Sequence, residues 1–375
     1  MAIYTVLDRK TLASLAADYG LGKLSKAAGV PAGSVNTHYL LETRKGKFFL
    51  KIDEVKSQLE AQQELDLLLF LRAQRFLCPQ PLADRQGRYL HDHDGKATSV
   101  YSYLAGRAFS EADLTSAHLE KAGQVLASLH FLGQGYKQEI ENRFSFERVL
   151  DRYQHVRAQL PSYFRHLTHT LDDEVAHQQQ YQEERLPKGI IHGDLFADNL
   201  LFRGGKVTGV LDFEAACYGK FIYDLATAVN ALCYTNGGYL IERFEALLSG
   251  YQSIRTLSLA EWDAFPNELR FSALRFTVTR LKDFFLRPMD DGARVNKDFR
   301  EFFERLQVLR RERVGGMDRL LMAMATGYDY RKYQKIRTQG KAQGEIAPAR
   351  RKGSGKQWIR SPSWIPANGT LQAVR

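Results

Sequence analysis

The stretch "IIHGDLFADNLLFRGGKVTGVLDFEAA", residues 190–216, carries three oxygen-bearing side chains at spacings that suit a single site. Asp194 and Asn199 are five residues apart, too far for one helical turn but suited to a loop that curls around a ligand. Thirteen residues after Asn199, the run "VTGVLDF" reads as a strand that returns Asp212 to that loop, with "RGGK" as the hairpin turn. Hard oxygen ligands from Asn199 and Asp212, plus a free carboxylate on Asp194, meet the needs of Mg²⁺-dependent phosphoryl transfer. Magnesium takes few protein ligands and several phosphate oxygens, so two side chains suffice. Asp194 is then the group to accept the proton of an attacking hydroxyl.

Such a unit needs a frame. Residues 1–104 read as strand-rich with one long helix. An opening helix runs from about Arg9 to Tyr19 and stops at Gly20; two strands flank the turn "RKGK". A helix over 55–76 ends at the Cys78-Pro79 step, and two further strands follow with turns at "DRQG" and "HDHDGK". The loop "PAGSVNTHY" offers Gly33, Ser34 and Asn36 as a phosphate cradle just ahead of the first strand. From Glu111 the pattern turns helical, breaks for the motif region, and resumes to about Thr326; the helix at 220–234 is apolar almost all round and reads as buried. The expectation is an α+β, two-lobed protein: residues 1–104 a nucleotide-binding lobe, 105–330 a catalytic and substrate lobe, and "YSYLAG" the hinge.

Composition narrows the class. No run of about 18 apolar residues and no apolar leader exist, so a cytoplasmic protein without a membrane partner is expected. Cys78, Cys217 and Cys233 are an odd set without C-x-x-C spacing and read as small buried thiols. The net charge of +10 is confined to residues 331–375, which hold 11 of the 53 Lys and Arg and one of the 43 acids. The rest is neutral, against a nucleic-acid partner for the folded body. The tail itself reads as a basic, disordered segment able to meet an anionic partner, helped by Trp358 and Trp364. The "HDHD" run at 91–94 reads as a solvated hairpin turn rather than a metal site.

The motif H-G-D-x-x-x-x-N followed by an L-D-F strand resembles the aminoglycoside phosphotransferase and choline kinase branch of the protein-kinase-like fold, over about residues 30–290. The resemblance implies ATP and Mg²⁺ as cofactors. It implies that Lys51 on "FFLKI" contacts the α- and β-phosphates with Glu64 as its partner, Glu60 lying on the same helical face. It also implies that His192, beside the catalytic Asp194, and Asp224 support the loop, and that the backbone from Ser99 through Tyr101 and Tyr103 to Leu104 meets the adenine.

Within that branch the chain is most similar to the homoserine kinases, through "GSVNTHYLLET", "HGDLFADNLLF", "GVLDFEAACYGKFIYDLATAVNALCY" and "RFSALRFTVTRL". Two departures are Lys51, where a smaller polar residue is expected in many of them, and the basic tail. The reaction so implied moves a phosphoryl group from ATP to the hydroxyl of L-homoserine, a step toward threonine. A homoserine pocket needs a base, a cation and an anion together: Asp194, then Arg275 or Arg280 for the carboxylate, and Asp198 or Glu214 for the ammonium. The alternatives are a kinase for another small alcohol or amine (choline, aminoglycoside or methylthioribose), a stress kinase acting on protein hydroxyls, and a non-catalytic ATP-binding module.

Overall fold

A computed structural model describes residues 5–30, 35–181, 185–286 and 297–311 of the chain. Asp8 caps the first helix, α1 (Arg9–Asp18), its carboxylate accepting from the Thr11 backbone N–H at 2.7 Å. The strands β1 (Leu24–Gly29), β2 (Thr37–Thr43) and β3 (Gly46–Ile52) follow, then helix α2 (Gln58–Ala73), then β4 (Leu90–His93) and β5 (Lys96–Ser102). They form one antiparallel sheet in the order β1-β2-β3-β5-β4. Strand β1 departs from the sequence reading, which has no strand there. Its "LSKAAG" is poor in strand formers, and it holds by pairing with β2, Ala27 opposite Leu41.

Ser57 caps α2 and Glu60 returns the favour, its carboxylate accepting from the Ser57 N–H at 2.9 Å. Glu60 is thereby spent on the helix start, and Glu64 one turn later faces inward, buried. The Asp94-Gly95 pair turns β4 into β5 with both residues at positive φ, as the hairpin reading requires.

After Ser102 the chain becomes helical, with α3 (Ser116–Gly133), α4 (Phe146–Gln159) and α5 (Arg165–Gln179). Four short strands then interrupt: β6 (Lys188–Ile191) pairs with β9 (Cys217–Lys220), and β7 (Leu200–Arg203) with β8 (Lys206–Val210). Helix α6 (Phe221–Leu232) is buried along its whole length, as its apolar sequence demands. Helices α7 (Ile241–Gln252), α8 (Leu259–Arg280) and α9 (Arg300–Arg311) complete the bundle. The main core runs through these helices and reaches up to the underside of α2, while a smaller core lies between α1 and the sheet.

All three cysteines are buried and free. Among the described residues no helix is long and apolar enough to cross a membrane. The expected helical run beyond Arg311 and the basic tail at 331–375 lie outside the described residues.

Candidate active site

The loop between β6 and β7 is held from below by one carboxylate. Asp224 of α6, fully buried, accepts hydrogen bonds from the backbone N–H groups of His192 and Gly193, both at 2.7 Å. His130 of α3 approaches the same carboxylate through Nε2 at 3.0 Å and meets the Tyr251 hydroxyl through Nδ1 at 2.7 Å. Burial pushes the Asp224 carboxyl up, but the His130 and His192 contacts outweigh it and hold it below its ordinary value. Gly193 sits at φ 75, where a Cβ would also press on the Ala215 carbonyl, so no other residue fits the turn.

His192 is the residue that the resemblance gives as a support of the loop beside Asp194. Its ring meets backbone on both sides: Nε2 donates to the Leu211 carbonyl at 2.9 Å and Nδ1 accepts from the Asp194 N–H at 3.3 Å. Fully buried, it ties the loop to the segment that carries Asp212.

Asn199 donates from Nδ2 to the Asp194 carbonyl at 2.9 Å, which leaves its amide oxygen as the end free to ligate. Asp212 stands at φ 61, ψ 75, left-handed backbone that few residues other than Gly adopt. Both line a cavity of about 430 Å³. The Asp212 carboxylate opens onto that cavity, yet its enclosure in the cleft, and then the charges of Glu214 and Asp194, push it up to about 8. Carboxylates crowded in this way are short of a cation, and a hard divalent ion suits the oxygens of Asn199 and Asp212. Among the described residues no three His, Cys, Asp or Glu side chains converge into a closed metal cage. An ion held by Asn199 and Asp212 would take its remaining ligands from phosphate and water, as Mg²⁺ does.

Lys51 of β3 lines the same cavity. Its ammonium lies 3.0 and 2.9 Å from the two Glu64 oxygens, 3.1 Å from Asp53 and 3.3 Å from Glu214. Burial favours neutral Lys51, but Glu214, Glu64 and Asp53 outweigh it and raise its pKa well above the ordinary amine value. Glu64 moves the other way: Lys51 and Lys56 overcome its burial and hold it far below the carboxylate range. Sequence reading missed Asp53 and Lys56, although the charged run "LKIDEVK" signals them. It also missed His130, in the last turn of α3, where no local signal marks it.

The remaining candidates divide. Asn36, Tyr101 and Tyr103 line the cavity, and the Tyr103 ring is parallel to that of Phe49 at 6.0 Å. Ser99 does not line it. Its hydroxyl donates to the Tyr101 hydroxyl at 2.9 Å within β5. Gly33 and Ser34 lie outside the described residues. Asp198 is exposed at the cavity. Glu214, expected to hold an ammonium, lies 3.3 Å from the Lys51 ammonium and accepts from the Asn36 amide. Arg275 reaches Asp194, with Nη1 3.6 Å from Oδ1. Arg280 donates to Glu301 and to the Asp298 carbonyl, both at 2.7 Å.

Residues 26–257 match the model of a phosphotransferase enzyme family. Homoserine kinase of Sinorhizobium fredii is 34% identical over 310 residues, covering 82% of this chain and 94% of that protein. Homoserine kinase of Rhizobium meliloti is 35% identical over 316 residues, with the same coverage. Among solved structures, amicoumacin kinase in complex with AMP-PNP, Ca²⁺ and its antibiotic superposes with a TM-score of 0.61 at 18% identity, over 82% of this chain and 93% of that one. Choline kinase from Cryptosporidium parvum gives 0.57 at 13%, over 80% and 92%. The fold is thus the expected two-lobed, protein-kinase-like α+β one of the aminoglycoside phosphotransferases and choline kinases. With both lobes matched at this level, the chain belongs to the phosphotransferase enzyme family, alongside the homoserine kinases that resemble it over most of their length.

Proposed function

We propose that the chain transfers the γ-phosphoryl group of ATP to the side-chain hydroxyl of L-homoserine, yielding O-phospho-L-homoserine and ADP. The acceptor follows from the homoserine kinases that match 94% of their own length. The chemistry rests on one observation: Asp194 stands beside the Asn199–Asp212 pair, and that pair shares its cavity with Lys51.

In this reading Asn199 and Asp212 hold Mg²⁺, which when bound neutralises charge on the phosphoryl oxygens. Asp194 orients the homoserine hydroxyl and takes its proton as the new O–P bond forms and the bond to the β,γ-bridging oxygen breaks. Lys51, steadied by Glu64 and fully charged, meets the α- and β-phosphates. The Asp224–His130 pair below fixes the loop, so that little reorganisation is left for the reaction itself.

The unmodified protein with Mg·ATP is expected to release ADP only when homoserine is present, and phosphorus NMR should show a phosphomonoester of homoserine. Asp194→Asn should lower kcat by on the order of 10² to 10⁴ while calorimetric Mg·ATP affinity persists. Absence of homoserine-dependent ADP sinks the acceptor; near-normal turnover by Asp194→Asn sinks the base.

A further inference from the structure

Arg275 is 4% exposed, and its Nε and Nη1 have no hydrogen-bond partner among the described residues. Buried guanidinium N–H groups without partners are rare and call for an explanation. This one is not loose. Its central carbon lies 3.6 Å from the centre of the Phe144 ring and 3.8 Å from that of Phe276. Aromatic contacts on both rings restrain the guanidinium and leave its in-plane N–H groups for hydrogen bonding.

The surroundings add positive charge. Arg152 places its guanidinium carbon 5.1 Å from the same Phe144 ring, and Arg143 places its own at 5.9 Å. Arg152 donates to the Arg143 carbonyl at 2.7 Å, and Arg143 to the Glu214 carbonyl, so both are held by backbone. Burial first, and then the charge of Arg275, lowers the pKa of Arg152, although Asp283 opposes the shift. Three guanidiniums around one phenyl ring make a small electropositive compartment, met on one side by the Asp194 carboxylate.

Its distance from the reacting centre sets the size of that anion. Arg275 Nη1 is 3.6 Å from the Asp194 carboxylate. A hydroxyl and a carboxylate joined through three carbons lie roughly 5 Å apart when extended, so one small acceptor can reach both groups. We propose that Arg275, backed by Arg152 and Arg143 around Phe144, forms a carboxylate subsite that selects ω-hydroxy amino acids as acceptors and repels polycationic ones. This deepens the homoserine reading and rests on it.

The test compares L-homoserine with 3-aminopropan-1-ol, which keeps the hydroxyl and the amine but lacks the carboxylate. The unmodified enzyme should favour homoserine in kcat/KM by on the order of 10²-fold or more. In Arg275→Met that preference should collapse to within a few-fold, because the loss falls on homoserine and appears mainly in KM. Arg275→Lys, which keeps a charge but loses the planar fork, should fall between; it decides the matter if Arg275→Met does not fold, as judged by melting and Mg·ATP binding. If Arg275 merely positions Asp194, activity on both acceptors drops together and the preference survives, which overturns the subsite while homoserine remains the substrate. No homoserine turnover by the unmodified enzyme overturns the acceptor and the subsite together.

Discussion

At the scale of single residues, Asp224 and His130 show how a buried pair stabilises a loop it never joins. The Asp224 carboxylate is fully buried and satisfied by two backbone N–H groups and an imidazole. Burial, outweighing the pull of Asp224, lowers the His130 pKa, so the folded protein keeps this imidazole neutral. An unfolded chain takes up that proton near pH 6.5. Below that pH the unfolded state binds more protons than the folded one, so stability rises with pH through this window and falls as the solution is acidified. The depressed carboxyl of Asp224 adds a loss of the same sign at lower pH. Urea midpoints should therefore decline between about pH 6.5 and pH 5, and His130→Gln should flatten that decline. An equally steep acid slope in the variant would assign the loss to other groups.

At the scale of elements, α3 and α7 approach so closely that glycine is required on both. A Cβ on Gly123 would overlap the Leu247 carbonyl, and one on Gly250 would overlap that of Glu120. Alanine ordinarily strengthens a helix interior by up to about 1 kcal/mol over glycine. Here the obstacle is backbone, which cannot swing away, and overpacking costs about 1–3 kcal/mol or more. The second effect is the larger. Gly123→Ala and Gly250→Ala should each destabilise the protein by about 2 kcal/mol in urea titrations. A gain in either variant would mean that the two helices can separate freely. The separation matters to the site because α3 also carries His130.

At the scale of the whole molecule, the cavity takes its walls from both halves of the chain. Lys51 and Glu64 come from the sheet and α2, while Asn199 and Asp212 come from the short strands of the helical part. A ligand bound there stabilises the folded state by mass action, ~2.7 kcal/mol at a hundred times its Kd. Mg·ATP should accordingly raise the melting temperature by several degrees, and EDTA should remove most of that gain. Asp212→Ala should respond to ATP alike with and without Mg²⁺; a full Mg²⁺-dependent shift in that variant would move the metal site elsewhere.

By itself the sequence determined the elements with strong local periodicity: the β2–β3 hairpin, the long α2, the buried α6, and the loop whose spacing brings Asn199 and Asp212 together. Local chemistry suffices for these, since turn residues, caps and apolar faces act over a few positions. It did not determine β1, whose small residues become a strand only against β2. The resemblance preferred Glu64 to Glu60, but only the structure shows the physical reason, a capping box that claims Glu60. Tertiary structure also separated Arg275 from Arg280 and drew Glu214 to Lys51, and it joined His130 to an aspartate 94 residues away. Charges pair by distance in space, and a buried charge is costly enough that the fold, not the spacing along the chain, decides its partner.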